Sequence, residues 1–478
     1  MIVLYIALGV LAVFLAVLLI RAAAFKPAPV EQISSVAVTV DSEKATAALA
    51  QMIRCRTVSD TVKENECEEE FEKFRALLPT LFPHIFEKCV VEYPSDRAIL
   101  ICYRGKSHDA PTVLMSHYDV VSVVEADWEK PPFDGIVENG VLWGRGTLDT
   151  KGTLNGILQA AETLLSQGFV PENDIYFAFG GDEEVNGHGA RDIIALFKER
   201  GLTPALVLDE GGAVVENVFP GVKSPCALIG IAEKGMLNIE YSIKSQGGHA
   251  SSPAPHTPVG KLSAACVRVE NHPFKLRLTK PALAMFDNLA RHSTFLYRLI
   301  FANLWCFAPV LNILTKKTGG ELNALMRTTV AFTQMQGSKG MNVIPPMARM
   351  VSNSRLIDGD TVESARDYLE KVVNDSEISV SIIEGQNPSV VSTMDCEGWD
   401  RVKLTARESW PDAIVSPYLM VACSDSRYWG EISDKVYRFS AMALSKQERA
   451  TIHGNNERVP VGTIAKTVEF YIRLMMKS

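Results

Sequence analysis

No two of the nine cysteines in this chain are spaced CxxC, and Cys55, Cys67, Cys89, Cys102, Cys226, Cys266, Cys306, Cys396 and Cys423 are odd in number and scattered. Such a set reads as buried or free thiols, which excludes a disulfide framework and a thiolate zinc site. A long basic run is also missing, and the net charge is -8. An extended phosphate-binding face is therefore not expected, and nucleic acid is not a partner. Histidine is scarce, nine in all, so one that follows an apolar run is informative. What is present is an ordinary globular balance, 47% hydrophobic and 22% charged over 478 residues, enough for a large core and two domains.

The amino terminus departs from that balance. Ile2 to Ile20 carries no charge and is followed by Arg21 and Lys26; as a helix it spans roughly 28 Å, close to a bilayer's hydrocarbon thickness. Residues 1–25 are read as a single membrane anchor, with a cleaved signal peptide, and hence secretion, as the rival. Arg21 and Lys26 favour a cytoplasmic carboxyl side. Residues 26–42, with Pro27 and Pro29, read as a linker.

From there apolar runs alternate in type. Helical spacing over Glu43–Cys55 and Glu66–Phe82 gives way to strand runs at Ala98–Tyr103 and Thr112–His117. A helix face (Leu154, Ile157, Leu158, Ala161, Leu164, Leu165), a strand over Ile175–Phe179, a helix over Ala190–Lys198 and a strand over Ala205–Leu208 follow. This order predicts an α/β fold, a mostly parallel sheet covered by helices. Near Gly235 the pattern becomes strict alternation (Leu237, Ile239, Tyr241, Ile243; again over Ala348–Leu356), which suits a half-exposed antiparallel sheet. The expected layout is a catalytic domain over 43–235 and 386–478, with a smaller α+β lid or dimerisation domain, 236–385, inserted. Within the insert, Phe295–Leu314 is unusually apolar but interrupted by Arg298 and Pro309. It reads as a buried or subunit-contact helix, or as a surface touching lipid or an acyl chain.

The strand ends collect metal-binding groups: His117 and Asp119 after one, Asp149 before a helix, Glu183 and Glu184 after Gly180 and Gly181, Asp209 after the next, and His453 near the carboxyl end. With His117, Asp149, Glu184, Asp209 and His453 as ligands, three carboxylates set -3 against the +4 of two zinc ions, and a bridging hydroxide brings the site to neutrality. A carboxylate can bridge two ions and an imidazole cannot, so Asp149 is the expected bridge. Glu183, next to Glu184, can accept a proton from water, and Asp119 can hold the other N–H of His117. Each acid alone is more often a surface group or helix cap; their joint occurrence at strand ends carries the reading.

SHYDVV, GRGTLDTKG, GGDEE, LDEGG, GGHASSP, NVIPP and HGNNERVP, in that order, resemble the dinuclear zinc metallopeptidases that include carboxypeptidase S, aminoacylase and acetylornithine deacetylase. The likeness is nearest to the branch of carboxypeptidase S and the N-fatty-acyl-amino acid hydrolases. It implies His117 and Asp209 on one zinc, Glu184 and His453 on the other, Asp149 bridging, Glu183 as general base, Asp119 behind His117, and a cis peptide between Asp149 and Thr150. It also implies an oxyanion role for His249, usually supplied by a partner subunit, and Arg355 with Asn342 as holders of the substrate carboxylate. Arg427 is a further candidate of that kind, or a structural ion pair. One departure is Ala422, Cys423, Ser424, Asp425, Ser426, where the family often has Gly-Thr-Asp-Ser. The expected activity is hydrolysis of the amide next to a free carboxylate, in a peptide or N-acyl amino acid, by a dizinc enzyme, with a homodimer through the lid as the expected partner arrangement. A small-metabolite deacylase of the acetylornithine type is the alternative, and a non-catalytic binding protein on the same fold a further one.

Overall fold

The computed structural model describes residues 1–29, 33 and 36–478. The linker expected over 26–42 falls partly on 30–32, 34 and 35, outside the described residues. Just after it, Asp41 accepts the Lys44 N–H (2.9 Å) and starts the helix Ser42–Ile53.

One large sheet runs in the order Val90–Ser95, Ala98–Tyr103, Asn173–Gly180, Ser107–His117, Leu206–Asp209, Val436–Arg438, Cys226–Glu233, Ile414–Met420, with Val214–Val215 beside Cys226–Glu233. Its central ladders are parallel, as the strand–helix alternation predicts. Antiparallel partners at Ala98–Tyr103 and Cys226–Glu233 make the sheet as a whole mixed. Only a short connection joins Val90–Ser95 to Ala98–Tyr103, so these strands form a hairpin and not a crossover. The register sets His117 opposite Gly180 and Leu114 opposite Leu208, so three parallel strands end together at one edge of the sheet. On one face lies the almost wholly buried helix Lys151–Ser166 against the carboxyl-terminal helix Val461–Met475. A Cβ on Gly156 would stand 2.6 Å from Thr467 Cγ2, so glycine is what allows the two helices to approach.

A second sheet, in the order Thr329–Gln336, Met347–Leu356, Gly235–Lys244, Ser379–Gln386, is entirely antiparallel. Leu237, Ile239, Tyr241 and Ile243 point to one face, where the helices Pro258–Asn271 and Val362–Val373 close a separate small core. One part of the insert behaves differently from the layout read in the sequence. Ala282, Met285, Phe286, Leu289 and Phe301, from the helices between those strands, join the large core of the first sheet. The helix Lys280–Arg291 has an apolar face of its own and buries it on the nearest unfilled surface, which belongs to the catalytic sheet.

The first helix, Ile2–Ala24, is long and apolar enough to cross a membrane. Nearly all of it lies on the outside of the molecule, and only Leu18 and Ala22 are buried.

Candidate active site

The three parallel strand ends and the loop around His453 meet in a cluster of imidazoles and carboxylates. Asp149 stands at its centre. Its Oδ1 is 3.1 Å from His117 Nε2 and its Oδ2 is 2.9 Å from His453 Nε2, so its two oxygens serve two histidines. His453 Nε2 also lies 3.0 Å from Glu184 Oε2. His117 Nε2 is 3.4 Å from Glu210 Oε1. The ligand atoms of His117, Asp149 and Glu184 lie within 4.8 Å of one another, and so do those of His117, Glu183 and Glu210.

Asp119 is fully buried behind this cluster. Its Oδ1 sits 3.3 Å from His117 Nδ1 and accepts the Glu183 N–H at 3.2 Å; its Oδ2 accepts the Glu184 N–H at 3.1 Å and the Ser59 hydroxyl at 2.7 Å. One carboxylate therefore orients the imidazole and fixes the turn that carries both glutamates. The peptide between Asp149 and Thr150 is cis, as the family resemblance implies.

Asp209, expected as a ligand, is not in the cluster. Its carboxylate accepts the Ser426 N–H at 3.0 Å, and Glu210 takes the place beside His117. Asp209 is the last residue of its strand, and successive side chains there point to opposite faces. The acid that faces His117 is therefore the following one.

Glu457 was not singled out in the sequence, yet it holds the loop that presents Asp149. It is fully buried, pairs with Arg145 at 2.6 Å and accepts the backbone N–H groups of Gly146 (3.1 Å), Leu148 (2.7 Å) and Asp149 (3.2 Å). Its place four residues after His453, inside HGNNERVP, was the available signal.

The cluster opens into a cavity of about 560 Å³ between the two sheets, lined from the catalytic side by Asp149, Glu183, Glu184, Glu210 and His453. The smaller sheet contributes Asn238, Asn353 and Arg355. Arg355 Nη1 lies 3.1 Å from Cys423 Sγ, the position at which the chain departs from its resembled family. Arg427 also lines the cavity and donates to Asn186 Oδ1 at 2.7 Å.

Asn342 does not join Arg355. It precedes the strand Met347–Leu356, and Arg355 is near that strand's far end, so roughly ten residues of extended chain, about 30 Å, separate them. Asn342 instead accepts the Ala250 N–H beside the exposed two-strand ladder of Gly248–His249 with Val343–Ile344. Neither His249 nor Asn342 lines the cavity of its own chain.

The electrostatics fit a metal. Burial raises the proton affinity of Glu183 well above the carboxylate range and pushes Glu210 up to about 8. For Asp149, burial acts in the same direction but is outweighed by the hydrogen bonds of His117 and His453, which hold it well below its ordinary value. Burial would lower His117, yet the charge of Glu210 and the bonds of Asp119 and Asp149 keep it well above its ordinary value. Hydrogen bonds to Asp149 and Glu184 lift His453 to about 10. Imidazoles that retain protons among acids that take them up mark strong negative potential, which divalent cations on these N and O donors would relieve.

Residues 113–477 match Peptidase family M20/M25/M40. The chain belongs to peptidase family M20. It is 34% identical to a probable carboxypeptidase S-like 2 of Dictyostelium discoideum, with 89% of this chain and 84% of the relative aligned. It is likewise 34% identical to the N-fatty-acyl-amino acid synthase/hydrolase PM20D1 of Xenopus tropicalis, over 90% of this chain and 85% of that one. Among solved structures it resembles an M20 family metallo-carboxypeptidase, Sso-CP2, from Sulfolobus solfataricus, with a TM-score of 0.67, 15% identity, and coverage of 90% of this chain and 98% of the other. Human carnosine dipeptidase 1 matches with a TM-score of 0.64, at 15% identity, over 91% and 97%. As an M20 protein the chain is an enzyme, a metal-dependent peptidase or amidohydrolase on an α/β fold.

Proposed function

We propose that this M20 enzyme is a dizinc hydrolase of the amide next to a free carboxylate, in a carboxy-terminal peptide bond or an N-acyl amino acid. The observation that carries the reading is Asp149, whose two oxygens face His117 on one side and His453 on the other. His117 and Glu210 would hold one ion, Glu184 and His453 the other, with Asp149 shared. Three carboxylates and a hydroxide then balance two divalent charges, the same sum with Glu210 as with Asp209. Bound there, the paired ions supply Lewis acidity and lower the pKa of the attacking water.

The remaining steps belong to side chains. Glu183, half-buried in the cavity wall, takes the proton of that water and returns it to the leaving amine. Arg355 faces the cluster across the cavity, where a guanidinium can grip a carboxylate with two parallel bonds; Asn238 and Asn353, joined at 2.8 Å, flank it. The names of the relatives, carboxypeptidase S-like and N-fatty-acyl-amino acid hydrolase, support both substrate classes. The exposed ladder with His249 and Asn342 suits supply of these groups to the cavity of a second copy. We read Ile2–Ala24 as a single-pass anchor, or as a signal segment if cleavage removes it.

The test is a panel of long-chain acyl amino acids, dipeptides and acetylornithine, run with and without chelator, beside Glu183→Gln. We expect chelator to abolish turnover of the first two classes, and Glu183→Gln to lower kcat by about 10²- to 10⁴-fold while bound zinc is retained. Full activity in Glu183→Gln would remove the proposed mechanism. Arg355→Ala should raise KM for carboxylate substrates and leave their carboxamide analogues unaffected; an equal rise for both would show that it does not read the carboxylate.

A further inference from the structure

We infer that the helical elbow Phe295–Thr318 is a second membrane element, inserted to about mid-bilayer alongside the first helix. The inference rests on reading residues 2–24 as an anchor. The elbow consists of two short helices, Phe295–Phe301 and Leu304–Thr318, bent by 103° at Ala302 and Asn303. Its outward side is apolar: Leu296, Trp305, Val310, Ile313 and Leu314 are exposed, Ile313 by 70% and Trp305 by 59%. On the second helix Leu311 and Thr315 face inward, and the opposite face has no charged residue until Lys316 and Lys317 in its last turn. Such a stripe ended by lysines is what a helix entering a headgroup boundary carries.

Three contacts fix the elbow along the anchor and not merely at its foot. Arg21 donates from Nε and Nη2 to the Ala302 carbonyl at 3.1 and 2.9 Å, and from Nε to Asn303 Oδ1 at 3.1 Å. The Asn303 amide donates to the Leu18 carbonyl at 3.1 Å and the Leu299 carbonyl at 2.9 Å. Farther up, the rings of Phe14 and Trp305 meet edge to face at 5.9 Å. Phe14 precedes the last residue of the anchor, Ala24, by ten residues, or roughly 15 Å at the α-helical rise. Trp305 therefore lies against the middle of a span whose length matches the hydrocarbon layer.

The bend itself meets the requirement that hydrocarbon imposes. Irregular backbone survives there only where its polar groups are satisfied within the protein. The break at Ala302 and Asn303 has its carbonyl answered by Arg21, and the Asn303 side chain is fully buried with both ends bonded. The elbow is also tied to the start of the second sheet: Arg327 donates to Asn312 Oδ1 (2.9 Å), and Lys234, the residue before the strand Gly235–Lys244, donates to the carbonyls of Ala324 (3.0 Å) and Arg327 (2.9 Å).

The experiment uses the full chain, with residues 1–24 retained, in phosphatidylcholine nanodiscs containing lipid brominated either near the headgroup or at mid-chain. The other five tryptophans lie in the catalytic body, at 128, 143, 399, 410 and 429, so quenching by buried bromine reads Trp305. We expect mid-chain bromine to quench more strongly than headgroup bromine, and Trp305→Phe to remove most of the quenchable emission while hydrolysis of a soluble substrate continues. Pairing Leu296→Glu with Ile313→Glu should abolish the quenching without releasing the chain from the disc. A chain that never enters the disc overturns the anchor and the elbow together. A chain held in the disc whose Trp305 is untouched by either lipid, or whose quenching survives Trp305→Phe, overturns the elbow alone.

Discussion

Two neighbouring acids, Asp209 and Glu210, show how much depends on a single step along a strand. The structure turns Asp209 toward Ser426 and Glu210 toward His117. Glu210→Gln is therefore expected to lose about one equivalent of bound zinc and most activity. Asp209→Asn should keep both metals and show its effect in stability, on the order of 1–3 kcal/mol for a disturbed buried hydrogen bond. Metal content by atomic absorption beside urea denaturation separates the two, and the opposite pattern would restore Asp209 as the ligand. The titrating groups give a second expectation. Without metal, Glu210 is held up at about 8 from 4.5, and His453 at about 10 from 6.5. The folded chain thus binds more protons than the unfolded chain between those values, and its stability falls as pH rises. The Tm of chelated protein should drop from about pH 5 to 9, and zinc should restore more of it at the high end because the ligands no longer need protons. A chelated Tm independent of pH would contradict this.

At the scale of elements, the strand ends at His117 and before Glu183 and Glu184, and the helix start after Asp149, were legible because apolar runs stop at these groups. Adjacent acids were not separable, since periodicity locates a strand but not which face its last side chain takes. Asn342 and Arg355 do not meet within one chain for a related reason: a motif and its neighbour in sequence can occupy opposite ends of one extended strand. The helices between the two strands of the insert were misassigned because an amphipathic face does not name its partner, and Met285 and Phe286 found theirs on the other sheet. Glu457 belongs to this scale too, for it joins the loop of His453 to the loop of Asp149. Glu457→Gln leaves Arg145 buried without its counter-charge and should cost about 3–5 kcal/mol, with zinc affinity falling as well. Wild-type stability in that variant would show that the clamp is not needed.

For the molecule as a whole, the cavity is walled on one side by loops of the first sheet and on the other by Asn238, Asn353 and Arg355 of the second, so a substrate bound as proposed above would span both sheets. The start of the antiparallel sheet at Gly235 was legible from the change of strand alternation there; the membership of the elbow was not. Asp149 and His453 touch although they lie far apart in sequence, and Glu457 clamps the loop that presents Asp149. Neither half of the chain carries the whole donor set, so two complementary fragments made separately should each be inert, and turnover should appear only when they are mixed and allowed to dock.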